Sequence, residues 1–160
     1  MSTNGQLIYR ATRDGFTREA FHDKCDNKAN TISIIKNNLN YVFGGYTSSV
    51  WNTSDTYVSD ANAFIFSLRR NGESKNEKFS IKIPEYAIFR YAKHCIRFGG
   101  GADIFICNNS NTAIGSYTNF GHSYELPKVI PNVNEKTIIY LTGNINGWLT
   151  TEIEVYQIGF

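Results

Sequence analysis

YVFGGYTSSVW, residues 41–51, is the stretch around which the rest of this chain is organised. It predicts a strand that passes through Gly44-Gly45 and ends near an aromatic anchor, Trp51. A glycine pair inside an apolar run is typical of a bulge, a bend or a close backbone approach. We interpret the pair as a sheet corner at which the core is pinned, and we expect a neighbour or a backbone conformation that forbids a side chain at Gly45.

The composition is that of one soluble globular domain. The chain has 160 residues, of which 41% are hydrophobic and 14% aromatic, which is enough for a single core. Its net charge is +2 and its basic residues are interspersed with acidic ones, so a nucleic-acid partner is not predicted.

Compartment and membrane topology are predicted from what the sequence lacks. It begins without an apolar signal segment and contains no run of about 18 apolar residues, so membrane insertion is not expected. The cysteines are odd in number and far apart (Cys25, Cys95 and Cys107), which favours reduced thiols and a cytoplasmic location, with the nucleus as an alternative. The periphery of an organelle membrane is a further alternative, which the chain would reach through a partner.

The clearest helix is predicted over Thr17–Cys25. Thr17 is a suitable N-cap, and Glu19 lies in the first turn, where the helix dipole favours an anion. Phe21 and Cys25 share one helical face. Before and after this helix, the sequence predicts strands over residues 6–11 and 31–36.

A hairpin is predicted over residues 64–83. Apolar residues alternate over 64–69 and again over 79–83, and the polar segment 71–78 between them reads as a loop longer than a two-residue turn. Pro84 ends the second strand.

The remaining segments complete an all-β pattern. Residues 86–92 fit either a helix or a strand, while residues 52–62 and 108–121 read as irregular. Further strands are predicted over 96–98, 103–107, 137–142 and 151–158. The fold class that follows is a mostly β chain with short helices, in the form of a two-sheet antiparallel β-sandwich flanked by helical segments.

Several residues invite a chemical role. Gly99-Gly100-Gly101 lacks the residues of a phosphate-binding loop and is read as a tight bend. His22 and Cys25 have the spacing of a thiol–imidazole pair or of two metal ligands. A zinc site would need His94, Cys95 and Cys107 as further ligands. Because no closely paired cysteines occur, no metal or cofactor is predicted, and Cys25 is read as a small buried hydrophobe.

Acidic residues give two weaker candidates. Glu152 and Glu154 lie on one face of a strand, as an acid–base pair or a solvated face would. Asp103 suits either cation binding or the capping of a turn.

The ordered motifs of the chain resemble those of the TLDc domain family, the oxidation-resistance type of domain. The resemblance covers about residues 7–157 of a single domain spanning 1–160. Its motifs are LIYRATRDGFTREAFHDKCD (7–26), TISIIK (31–36), YVFGGYTSSVW (41–51), DANAFIFSLRR (60–70), FGGGADIFI (98–106), SYELP (123–127) and TEIEVYQIGF (151–160). The chain departs from the family at Ala102 and over residues 128–136.

The resemblance implies a non-enzymatic β-sandwich that protects against oxidative stress and binds a protein partner, the vacuolar proton-pumping ATPase. It also transfers family positions to this chain. Trp51 and Asp103 are the surface, partner-binding candidates on loops, and the other transferred positions are Gly44, Gly45, Gly99, Gly100, Gly101 and Glu154, most of them read as structural.

A second hypothesis belongs to another class of protein. An enzyme, either a hydrolase or a peroxide-handling protein, would use His22 with Cys25 or Glu152 with Glu154. A direct thiol scavenger is its minor variant and requires an accessible Cys25 of low pKa.

Overall fold

The computed structural model describes residues 4–159 as two packed antiparallel sheets. Met1–Thr3 and Phe160, the ends of the predicted domain, lie outside the described residues. The large sheet has the strand order β1-β10-β2-β3-β5-β6 and the small sheet β4-β7-β8-β9. The predicted fold class is confirmed. The strands are β1 Gly5–Arg10, β2 Thr31–Asn37, β3 Val42–Thr47, β4 Thr56–Val58, β5 Phe64–Arg70, β6 Glu73–Ser80, β7 Ile88–Arg90, β8 Ile96–Phe98, β9 Ile104–Ile106 and β10 Thr150–Ile158.

The core lies between the two sheets. Alternate residues of each strand face inward, such as Ile35 and Ile153 from the large sheet and Ile96 and Ile104 from the small one, all fully buried. Burial of apolar surface between the layers is the main stabilising contribution to such a domain.

Gly44 and Gly45 lie in the middle of β3, which pairs with β2 on one side and β5 on the other. The predicted sheet corner is therefore wrong, and the glycines serve close approach. A Cβ at Gly45 would lie 2.6 Å from the Phe98 ring of the opposite sheet, and one at Gly44 would lie 1.8 Å from the carbonyl oxygen of Ser33. The expectation that Gly45 has no room for a side chain is confirmed.

Of the three α-helices within residues 4–159, two precede β2. Helix α1 (Ala11–Asp14) follows β1, and α2 (Arg18–Cys25) is capped by Thr17, whose side chain accepts from the N–H of Ala20. The predicted helix and its N-cap are confirmed. Its buried residues are Phe21 and Cys25, as their spacing indicates.

The strand predicted over 137–142 is wrong, because residues Glu135–Tyr140 form helix α3. Asn134 and Thr137 form a capping box at its start, in which Asn134 Oδ1 accepts from the N–H of Lys136 and Thr137 Oγ1 accepts from the N–H of Asn134. Local capping thus outweighs the β-branched composition of the segment.

The hairpin is correct, but its predicted loop is wrong. Strand β6 pairs with β5 as far as Glu73, leaving only Asn71-Gly72 as the turn. Both residues have positive φ (50° and 81°), which defines the type I′ turn favoured by Asn-Gly. At the other end β6 stops at Ser80, before Pro84.

The ambiguous segment becomes a 3-10 turn, Pro84–Tyr86, followed by β7. Strand β4 lies inside the predicted loop 52–62, where it forms the edge of the small sheet. None of the helices within residues 4–159 has the length and apolar character that crossing a membrane requires.

Candidate functional site

His22 and Cys25 lie on α2 without forming a thiol–imidazole pair. The Nδ1 of His22 contacts Asp26 Oδ1 at 2.7 Å, and its Nε2 contacts the carbonyl oxygens of Tyr91 (3.1 Å) and His94 (2.9 Å). Both ring nitrogens therefore face acceptors that tie α2 to the β7–β8 connection. Cys25 is fully buried, and burial raises the pKa of its thiol, so the protonated, unreactive form is favoured.

The other cysteines and His94 do not complete a metal site. Cys95 is buried, burial raises the pKa of its thiol to about 12, and its Sγ lies 3.7 Å from the carbonyl oxygen of Cys107. Among residues 4–159, no three His, Cys, Asp or Glu side chains are grouped so that they would hold a metal ion.

Glu152 and Glu154 are on the outer face of the large sheet, and each has a structural partner. Glu152 accepts from Arg10 Nε at 3.2 Å and from the main-chain N–H of Thr12 at 3.1 Å. Burial alone would raise the pKa of Glu152, but the hydrogen bonds from Thr12 and Arg10 hold it below its usual value. Glu154 accepts from the hydroxyl of Tyr156 at 2.6 Å. Glu152 therefore lacks the raised pKa of a general acid, and each carboxylate is engaged by a structural partner.

Asp103 is completely buried, so its predicted surface position is wrong. Its carboxylate accepts from the main-chain N–H groups of Gly121 (3.0 Å), Ser123 (2.9 Å) and Tyr124 (3.2 Å). Burial raises its pKa to about 6 against the lowering effect of these bonds. Of the two predicted roles, cation binding and the capping of a turn, these contacts describe the second.

Trp51 is also buried, with 1% of its surface exposed, so its expected surface position is wrong as well. Its ring packs edge-on against Phe21 of α2 and Phe98 of the small sheet, and its Nε1 donates to Thr31 Oγ1 at 3.1 Å. Any influence of Trp51 or Asp103 on a partner would act through the loops that they hold.

The triple glycine is the predicted tight turn. Gly99 has φ +88°, and its neighbours Gly100 and Gly101 donate main-chain hydrogen bonds to Ser123 Oγ and His122 Nδ1. A Cβ on Gly101 would lie 2.6 Å from the His122 ring. These glycines therefore allow the 99–102 and 119–123 loops to pack together.

A surface that the sequence prediction missed lies on the outer face of the small sheet. There, one side chain from each strand and one from the adjoining loop lie side by side across the sheet. Tyr57 pairs with Phe89 (ring centroids 4.7 Å apart), and Phe105 pairs with Tyr117 (5.0 Å). Between the two pairs, the Arg97 guanidinium lies 4.8 Å from the centroid of Phe89. We call these five residues the cross-strand row.

Hydrogen bonds hold Arg97 at the centre of the row, and the two ends of the row are partly open to solvent. Arg97 Nη2 donates to the Tyr57 hydroxyl and to the carbonyl oxygen of Gly100, both at 3.0 Å. Tyr57 and Tyr117 are 39% and 40% exposed, and Tyr86, which packs against Tyr57, is 41% exposed. The row is therefore a preformed surface of aromatic rings and one cation.

Phe89 and Phe105, on either side of Arg97 in the row, are joined by ring contacts through Tyr91 and His94. Tyr91 packs against Phe89 and His94, and His94 packs against Phe105. Burial, together with the charge of Arg97, lowers the pKa of His94. His94 is thus favoured as a neutral ring in this surface, and Arg97 supplies its fixed charge.

One signal in the sequence indicates this surface. The segments Ile88–Arg90, Ile96–Phe98 and Ile104–Ile106 each place an aromatic residue or Arg97 next to inward isoleucines. In an antiparallel sheet with one face on the core, the residues of the other face are usually polar. Phe89 and Phe105 on that outer face therefore indicate a functional surface.

Comparison with known proteins gives the class of the molecule. The family model described as the TLDc domain matches residues 2–159, and the chain therefore belongs to the TLDc domain family. No curated protein matches the sequence in a direct comparison.

Proposed function

We propose that this chain is a non-enzymatic protein-interaction domain that protects cells against oxidative stress by binding and regulating the vacuolar proton-pumping ATPase. The family resemblance suggests the partner and the physiological role, and the cross-strand row supports recognition of a protein. The domain would act in the cytoplasm, at the membrane that holds the pump.

The composition of the cross-strand row is the observation that carries the proposal. Protein interfaces are enriched in tyrosine, phenylalanine and arginine, and truncation of such residues accounts for most of the binding energy that alanine scans detect. Isolated exposed aromatics are ordinary on protein surfaces. Here, however, Tyr57, Phe89, Phe105 and Tyr117 extend across the whole small sheet with Arg97 at the centre.

The rigidity of the row also favours binding. Ordering a flexible arginine on association opposes binding by about 0.5–1.5 kcal/mol. Arg97 is already fixed by Tyr57 and Gly100, so less of this entropy would be lost.

The enzyme hypothesis has less support. A thiol nucleophile needs a depressed pKa and a base within reach, whereas Cys25 is buried and His22 is engaged with Asp26 and main-chain carbonyls. The direct scavenger meets the same obstacle, because it also needs a thiolate at Cys25.

The experiment is an affinity capture from an extract of the source organism. The immobilised domain should retain subunits of the proton pump, and Tyr117→Ala should reduce the retained amount by about tenfold or more, as expected for an exposed aromatic residue on which an interface depends. Tyr117 is the best position because the hydrogen bonds of Arg97 are made to Tyr57 and Gly100, so the removal of the Tyr117 ring leaves them intact.

Ile145→Ala is the matched control, because Ile145 is also exposed and apolar but lies in the turn before β10. Equal recovery of the pump with both variants would refute a role for the row. Recovery of no pump subunit by the unmodified domain would refute the partner.

A further inference from the structure

Strand β6 forms one edge of the large sheet and borders a groove of about 500 Å³. The opposite wall of the groove is the segment 125–129, and Tyr140 of α3 also lines it. Val129 on this wall is 82% exposed, which is unusual for an apolar residue. The groove is lined by Lys75, Glu77, Lys78, Phe79, Ser80, Glu125, Leu126, Pro127, Lys128, Val129 and Tyr140.

A short segment of the chain already pairs with the outer edge of β6 at its C-terminal end. Ser80 accepts from the N–H of Glu125 (2.9 Å), and the N–H of Lys82 donates to Ser123 (2.9 Å). Tyr124 forms an antiparallel bridge with Ile81. Residues 123–125 therefore begin a seventh strand of the large sheet. This pairing ends at Pro127, which has no main-chain N–H to donate to β6.

Beyond that point the outer edge of β6 is open. Alternate residues of a strand direct their main-chain groups to opposite edges. The N–H of Ile81 donates to Ala63 on the β5 side, whereas the carbonyl of Ser80 accepts from Glu125 on the outer edge. The N–H and C=O of Lys78 consequently point outward, toward the groove. Among the described main-chain hydrogen bonds outside the regular strands, none involves Lys78.

The charge around the groove selects the kind of ligand. Lys75, Lys78 and Lys128 line it, and within the described chain none of them forms an ion pair. The ammonium of Lys78 lies 4.2 Å from the centroid of the Phe64 ring, so Lys75 and Lys128 are the two lysines without such a contact. Glu77 is neutralised by Arg70 at 3.3 Å and bonded by the Tyr140 hydroxyl at 2.7 Å. Glu125 is the remaining acidic residue of the lining, so the rim is positive overall.

Charged residues on an edge strand also discourage aggregation, and that role alone would account for the lysines. It does not account for the groove beside them. A pocket next to an open strand edge is a feature of sites at which an extended peptide adds a strand, with main-chain hydrogen bonds for affinity and pockets for alternate side chains.

We propose that the outer edge of β6, together with the 125–129 wall, binds an extended acidic peptide as an added strand. Its main chain would pair with Lys78, and its alternate side chains would be acidic toward Lys75 and Lys128 and apolar toward Leu126 and Val129. This site is separate from the cross-strand row and does not depend on the proton pump as partner.

The probe for the test is a nine-residue synthetic peptide of alternating glutamate and valine, titrated into the isotope-labelled domain at low salt. Saturable shifts are expected at the amides of Lys78, Ser80 and residues 125–129, together with slowed hydrogen exchange at Lys78. Two control peptides accompany it, one with lysine in place of glutamate and one with methylated main-chain nitrogens. Both should bind at least tenfold more weakly, because the first repels the rim and the second cannot form the ladder.

Variants localise the effect. Lys75→Glu combined with Lys128→Glu should weaken binding at least tenfold, and raising the salt to about 0.5 M should do the same because it screens exposed charges. Lys93→Glu, on the β7–β8 connection, is the matched control and should bind like the unmodified chain. An absence of saturable shifts at β6, equal binding of the methylated peptide, or shifts confined to the cross-strand row would overturn the proposal.

Discussion

Replacement of Gly45 by alanine tests how the two sheets are joined. In the large sheet Gly45 faces inward, and the ring of Phe98 from the small sheet occupies the space above it. A Cβ at Gly45 would lie 2.6, 2.7 and 2.8 Å from three atoms of that ring. Contacts this short force either the ring or the strand to move.

The destabilisation expected for Gly45→Ala depends on how far the Phe98 ring can move. Phe98 is fully buried and packs against Trp51 and Tyr124, so its ring cannot shift without disturbing two other large side chains. Overpacking of this kind lowers the free energy of unfolding by about 1–3 kcal/mol. For a domain of this size, a loss of 2 kcal/mol lowers the melting temperature by roughly 4–8 °C.

Urea unfolding of three alanine variants measures the effect against internal controls. Gly5→Ala should be nearly neutral, since the nearest atom to its Cβ is at an ordinary 3.5 Å. Gly44→Ala should be the most damaging, by more than about 4 kcal/mol, because its Cβ would lie 1.8 Å from the main-chain oxygen of Ser33 and would break the β2–β3 ladder. Gly45→Ala should fall between them.

A double variant adds a second check. Phe98→Leu removes part of the ring that obstructs a side chain at Gly45. The double variant should therefore lose less free energy of unfolding than the sum of the losses in the two single variants. A Gly45→Ala domain that unfolds at the same urea concentration as the unmodified chain would refute the account of this contact.

Three further predictions concern titration, thiols and capping. The folded pKa of Asp103 is about 6, above the unfolded value of about 4. Relative to Asp103→Asn, the free energy of unfolding should therefore rise by up to about 3 kcal/mol as the pH falls from 7 to 4; urea titrations showing a pH-independent difference would contradict this. Iodoacetamide should label the folded domain at Cys107 before the buried Cys25 and Cys95, and mass spectrometry showing Cys25 labelled first would be inconsistent with the packing. Asn134→Ala should lower the free energy of unfolding by about 1 kcal/mol because it removes the cap of α3; no change in urea unfolding would show that the cap is dispensable.

The sequence predicted those parts of the fold whose signals are local. Thr17 and the spacing of Phe21 and Cys25 were sufficient for α2, and alternation was sufficient for β5 and β10. The β-branched residues of the 137–142 segment led to the prediction of a strand there, and the capping residue Asn134, which favours helix α3, was overlooked. The turn at Asn71-Gly72 was missed because the edge strand that follows is polar on both faces and resembles a loop.

The candidate site was harder to predict because its residues are distant in sequence. Tyr57, Phe89, Arg97, Phe105 and Tyr117 become neighbours only through the strand order of the small sheet, which local patterns do not determine. Single conspicuous residues were misleading for the opposite reason: Trp51 and Asp103 are distinctive because they hold the interior and its loops.

The central claim is that the cross-strand row contacts the proton pump, and site-specific photo-crosslinking tests it most directly. A photoreactive amino acid at position 117 or 57 of the domain should, on irradiation in an extract, form a covalent adduct with a pump subunit. The same group at position 145 should not. Adducts with the pump from position 145 but not from 117 or 57, or no pump adduct from any of the three, would contradict the account.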